Sequence, residues 1–236
     1  MKRMLVGVGL AAAVAALAGC GSDSGAARAL EGMLPRLIGP ANRFEVRASR
    51  VSGDRVGSAR VWATRLQTDD GLVVDHALLD LTDLRFNRER RELLGVGRAE
   101  FTADVLQEHL NLYLQKPTSL VRGLRIRLTP QGAQVRGSAD IPGVRLPITP
   151  ESVMDGKLQV DELGRLTFDP YRIRVAGVEV PSVAAKLLAT QINPLVDLTG
   201  LRLPVHLYSV EPGLAEVRLT GRALLPAGRY PDAARW

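Results

Sequence analysis

A period of two constrains this chain more than anything else in it. "LVVDHALLDLTDLRF" (residues 72–86) mixes apolar and polar residues in near-alternation over fifteen positions, far too long for a turn. Alternation of this kind marks a strand with one face on a core and one in water. Shorter stretches repeat it at 44–51, 58–66, 92–101, 124–129, 133–141, 157–162, 166–175, 178–180, 203–212 and 215–225. Gly53, Asp69-Asp70-Gly71 and the charged run Asn87 to Arg91 punctuate them as turns, which predicts hairpins and an antiparallel sheet.

Three segments break the period. In "AARALEGMLPRLI" (26–38), Leu30, Met33, Leu34, Leu37 and Ile38 fall on one helical face, weakened by Gly32 and Pro35. Thr102 is placed to cap a helix reaching about Gln115, with Val105, Leu106, His109, Leu110 and Tyr113 on one side. Pro181 and Ser182 open a third helix, "SVAAKLLATQINPLV", which Pro194 bends near its end. The expected class is α+β, a long antiparallel sheet packed on two or three helices. The stretches 99–110 and 177–188 hold similar places in two halves, a pattern suggestive of an old duplication.

The N-terminus carries a separate signal. Lys2 and Arg3 precede the apolar run Met4 to Ala18, which has the length of a signal-peptide core and is too short to span a bilayer. Leu17-Ala18-Gly19-Cys20 resembles a bacterial lipobox, and Cys20 is the only cysteine. The expectation is a leader at 1–19, removed when Cys20 is acylated with palmitate-type chains, then a short flexible tether to residue 25. The folded domain covers 26–225 and a tail 226–236. Two acyl chains meet the condition for stable anchoring, so the expected location is the extracytoplasmic face of a cell-envelope membrane. The alternative is an ordinary cleaved signal peptide with an incidental cysteine.

About 217 of the 236 residues then remain, enough for one large domain. Loss of Lys2 and Arg3 lowers the formal charge from +6 to +4. With 4% aromatic residues, the stacking platforms for single-stranded nucleic acid are scarce, so nucleic acid is not an expected partner. His76, His109 and His206 lie on separate elements and form no metal-ligand spacing. His109 on an apolar helix face reads as a core histidine. Gly95-Val96-Gly97 starts a dinucleotide-like pattern, but Glu100 stands where its third glycine belongs. No nucleophile elbow is present. No catalytic residue, metal or cofactor is assigned.

Two arginine pairs stand out. Arg125 and Arg127 alternate with Leu124, Ile126 and Leu128, and Arg172 and Arg174 with Ile173 and Val175. They fit the wet face of a half-buried strand. The sharper alternative is that, with "RERR" at 88–91, they form a surface that meets anionic lipid headgroups through the guanidinium fork.

Four stretches, "GLVVDHALLDLTDLRF", "RAEFTADVLQEHLNLYL", "GVEVPSVAAKLLATQINPLVDLTGLRLPV" and "AEVRLTGRALL", together resemble the LmeA-like family of exported bacterial phospholipid-binding proteins over about residues 28–225. The resemblance implies a TULIP-like fold, a strongly curved sheet wrapping helices around an apolar groove for acyl chains. The family has no catalytic residues to carry over, and it does not require a lipobox, which sets this chain apart.

The expected function is a membrane-anchored lipoprotein that binds or transfers phospholipid-type ligands; protein partners are not readable. Val183, Leu187, Leu188 and Ile192 on the third helix, with Leu106, Leu110 and Tyr113 on the second, are the groove candidates, because their apolar positions are wider than packing on one sheet requires. The competing reading is a structural or scaffolding envelope lipoprotein whose core is filled; an enzyme is the third.

Overall fold

The structure is a computed structural model, and it describes residues 10–87, 92–115, 121–139, 151–181, 189–201 and 203–223. Helix α1 (Leu10–Leu37) leads into strands β1 (Arg43–Ser52), β2 (Arg55–Gln67), β3 (Val73–Asn87), β4 (Glu92–Gly95) and β5 (Arg98–Leu106). Helix α2 (Gln107–Leu114) follows, then β6 (Val121–Thr129), β7 (Gly132–Ala139), β8 (Glu151–Val160), β9 (Leu166–Val175) and β10 (Val178–Glu179). The closing hairpin is β11 (Val205–Pro212) and β12 (Glu216–Ala223). A seven-stranded sheet runs β1-β2-β3-β5-β12-β11 with β4 beside β3, and a five-stranded sheet runs β10-β9-β8-β7-β6. All pairings are antiparallel. The fold class is thus the expected α+β one, with its strands shared between two sheets that close on a single apolar core.

The curvature is written in slips of the alternation. In β1 the apolar positions Phe44, Val46 and Ala48 give way to Val51. In β3 the buried positions Ala77, Leu79 and Leu81 give way to Leu84 and Phe86. Each slip coincides with a left-handed residue, Arg50 (φ 57°) and Asp83 (φ 54°). The register places Arg50 beside Gly57 of β2, and Gly57 beside Asp83. A Cβ on Gly57 would lie 2.9 Å from that of Arg50, and one on Gly97 3.0 Å from that of Asp83. Left-handed residues and glycines therefore alternate along one row across the sheet, which creases there as bulged sheets do. Arg65 (φ 52°) in β2 makes a second break.

Three expectations are corrected. Thr102 does not cap a helix: β5 continues through Leu106 with Ala103 and Val105 buried, because the period of two persists to that point. Helix α2 begins at Gln107 without a side-chain cap. Strand β8 starts at Glu151, not 157, with Ser152 and Met154 pointing into the core. The backbone from Gly21 to Gly25, read as a spacer, is helical within α1. Of the third helix, 182–188 lie outside the described residues; 189–192 are helical, and the chain leaves the helix before Pro194.

Polar side chains close the edges of the five-stranded sheet. On β6, Ile126 N donates to Asn111 Oδ1 (2.6 Å), Asn111 Nδ2 donates to Ile126 O (3.0 Å), and Leu128 N donates to Gln107 Oε1 (2.7 Å). On β9, Asn193 makes the same two-way pair with Phe168, both at 2.8 Å. These amides stand in for a missing strand and leave no bare ladder there. The sheets meet where Leu207 N of β11 donates to Gly164 O of the β8–β9 turn (3.1 Å).

Candidate functional site

An apolar cleft of about 370 Å³, counted with its open mouth, lies between the inner face of the seven-stranded sheet and the segment before β11. Leu66, Val74, Leu79 and Phe101 form the sheet wall; Leu198, Leu201, Leu203 and Val205 form the other, with Ile38. The second wall is shaped locally. Asp197 Oδ1 accepts from Thr199 N (2.9 Å) and Thr199 Oγ1 (2.6 Å), and Val205 N reaches back to Leu198 O (3.0 Å), so the turn folds its leucines onto the sheet. Thr68 is the one polar lining residue. Its hydroxyl accepts from Leu72 N (2.8 Å) and can donate to Leu72 O or Asp70, so it is satisfied inside its own turn. Such a cleft offers burial to hydrocarbon and no polar group for a reaction.

The described groove candidates from the sequence do not line this cleft. Val183, Leu187 and Leu188 lie outside the described residues. Leu110 is fully buried and Ile192 is 5% exposed, both within the core. Leu106 ends β5, where its N–H donates to Asp75 Oδ2 (3.0 Å). Tyr113 OH donates to Asp70 Oδ2 (2.6 Å); burial first, and then Asp70, push its ionisation far above the ordinary tyrosine range. None of these is among the residues that line the cleft. His109 is buried with Nδ1 2.8 Å from Asp75 Oδ2, so Asp75 ties both ends of the β5–α2 junction to β3. His76 is exposed and His206 half-buried. Among the described residues no three His, Cys, Asp or Glu side chains converge as a metal site. The cleft walls Leu66, Val74, Leu79 and Phe101 were visible in the sequence as inward strand positions, but alternation does not say which inward residues border a void.

The arginines do converge. Arg125 and Arg127 project from β6 on the side opposite buried Leu124, Ile126 and Leu128. Arg172 and Arg174 project likewise from β9, three strands away in the same sheet. The register aligns Arg125 with Arg136 of β7, Arg136 with Val153, and Val153 with Arg174. The adjacent row runs Arg127, Gln134, Asp155, Arg172. Arg136, not singled out from the sequence, joins the two pairs into one patch. The stretch 88–91 lies outside the described residues.

On the outer face of the other sheet several arginines are paired with carboxylates. Arg218 grips Asp104 with two bonds (2.7 and 3.1 Å), and Arg60 bonds Asp80 (2.5 Å). Glu100 takes Arg98 (2.8 Å), Tyr208 OH (2.9 Å) and Arg222 (3.4 Å). The Arg98 hydrogen bond, foremost, holds the Glu100 carboxyl below its usual range, against the opposing effect of burial.

Two curved antiparallel sheets thus close around an apolar cleft whose one polar lining residue, Thr68, is already satisfied. A profile of the LmeA-like phospholipid-binding family matches residues 44–222, and the chain belongs to that family. No curated protein and no solved structure matches the chain.

Proposed function

We propose that this protein holds phospholipid by its acyl chains, with the cleft between Leu79, Phe101 and the 198–205 segment as the seat. The observation that carries this reading is the cleft's lining: apolar throughout except for Thr68, whose hydroxyl is already engaged. Of its space only about 20 Å³ is enclosed, so seating an acyl chain requires the turn at 198–201 to move outward. The role is binding or transfer without catalysis. Acylated Cys20 anchors the protein to the extracytoplasmic side of a membrane, with residues 1–19 removed as leader. Among the described residues no helix is long and apolar enough to cross a membrane.

The scaffold reading has one observation in its favour, the complete burial of Leu110, which makes part of the interior an ordinary core. Native mass spectrometry of the Cys20→Ala chain separates the two. Lipid binding in the one cleft predicts a population carrying about one phospholipid per chain. A chain that takes up none, even when offered phospholipid, contradicts it. Anchoring is checked apart from this: palmitate labelling should vanish on Cys20→Ala, and unchanged labelling would refute it.

A further inference from the structure

The arginine patch lies on the outer face of the five-stranded sheet, away from the cleft, and so has no part in seating acyl chains. We infer that this face docks the protein flat on an anionic lipid bilayer. The inference rests on the lipid-binding reading only in that the chain must meet a membrane. Five guanidiniums, those of Arg125, Arg127, Arg136, Arg172 and Arg174, occupy two adjacent rows over four strands. With strands about 4.8 Å apart, the patch is roughly 15 Å wide. The acids within those rows are few. Asp155 is shared between Gln134 (2.8 Å) and Arg174 (3.3 Å), and Glu179 at the β10 edge stands 4.0 Å from Arg172. Glu151 and the Lys157–Asp169 pair flank the patch in the neighbouring rows.

Arg125 and Arg136 sit directly opposite each other, an arrangement that costs a sheet stability through like-charge repulsion. Arg47 and Arg60 are also opposite each other in the other sheet, but each has its own carboxylate, Glu45 and Asp80. Among the described residues neither Arg125 nor Arg136 has a carboxylate partner, and Arg136 bonds the neutral amide of Gln134. A planar array of five permanently charged forks, with only Asp155 and Glu179 set against it, complements a plane of phosphates. Beside Arg172 in the chain, Tyr171 is 67% exposed. An exposed tyrosine next to arginines suits the headgroup level of a bilayer.

Vesicle co-sedimentation of the full chain carrying Cys20→Ala tests this without the acyl anchor. The parent should bind vesicles containing about one-third phosphatidylglycerol far better than pure phosphatidylcholine vesicles, and high salt should abolish the difference. Each neutralised arginine should weaken binding roughly fivefold. Arg125→Gln/Arg127→Gln/Arg136→Gln should therefore lose roughly a hundredfold, and the Lys versions of the same three should keep most of the binding. Arg60→Gln/Arg218→Gln/Arg222→Gln, with the same change in net charge, should stay within a few-fold of the parent. Equal loss in both Gln triples, no loss in the first, or parental binding indifferent to lipid charge would overturn the inference. Absence of lipid from the parent by native mass spectrometry would overturn the cleft reading alone.

Discussion

The two sheets use the same residue, arginine, on the same kind of surface to different ends. On the seven-stranded sheet one charged row runs Arg47, Arg60, Asp80, Glu100, Arg222, so each like-charge pair is flanked by the opposite sign, and further along Asp104 faces Arg218. On the five-stranded sheet Arg125 faces Arg136, with the next arginine one strand beyond Val153. The first face meets most of these charges within the fold, although Arg55 also faces Arg85 there. The second leaves positive charge uncompensated, so its sense lies outside the chain. Alternation in a sequence is identical in the two cases; only the register across strands tells them apart.

The sharpest way to break the comparison is to part the sheets. Gly164 has φ +73°, and a Cβ there would lie 2.6 Å from the His206 ring. Gly164→Ala should cost about 2 kcal/mol, a drop in melting temperature of roughly 4–8 °C by calorimetry. A smaller effect follows from uncovering the edge of β6: Asn111→Ala strands both Ile126 backbone groups and should cost about 1.5 kcal/mol in denaturant unfolding. The smallest effect discriminates between the faces themselves. A double-mutant cycle on Arg218 and Asp104 should give a favourable coupling of about 0.5 kcal/mol. Arg125→Gln should leave stability unchanged or raise it by a few tenths of a kcal/mol by relieving Arg136. A clear loss at Arg125 would make that face structural like the other.

Much of the fold was legible because burial on one face imposes a period of two, and β1, β2, β3, β9, β11 and β12 appear close to where that period places them. The misreadings have physical causes. Thr102, Ala103 and Asp104 suit a helix start locally, but pairing with Leu78, Ala77 and His76 of β3 on one side and Thr220, Leu219 and Arg218 of β12 on the other keeps them extended. The start of β8 escaped notice because its inward residues include Ser152 and Gly156, small or polar groups that hide the alternation. The phase slips at Arg50 and Asp83 were present in the sequence as apolar positions moving from even to odd spacing, yet their alignment into a crease depends on register. The arginine patch was half legible: both pairs were visible as alternating residues, while Arg136 and their meeting on one face required the strand order β9-β8-β7-β6. The cleft was not legible, because its second wall comes from a turn at 197–201 that has no periodicity.

The central claim, that the cleft seats acyl chains, is tested most directly at Leu201, a half-buried residue on the cleft wall. Leu201→Gln places an amide where hydrocarbon would lie and where water can still reach it. Bound phospholipid, by native mass spectrometry, and the melting temperature of the lipid-free chain are measured together on parent and variant. The account predicts lipid on the parent, its loss from the variant, and lipid-free melting within a few degrees, since a solvated amide costs about 1 kcal/mol or less. No lipid on the parent, with a melting drop on Leu201→Gln as large as a buried polar group causes, would contradict it.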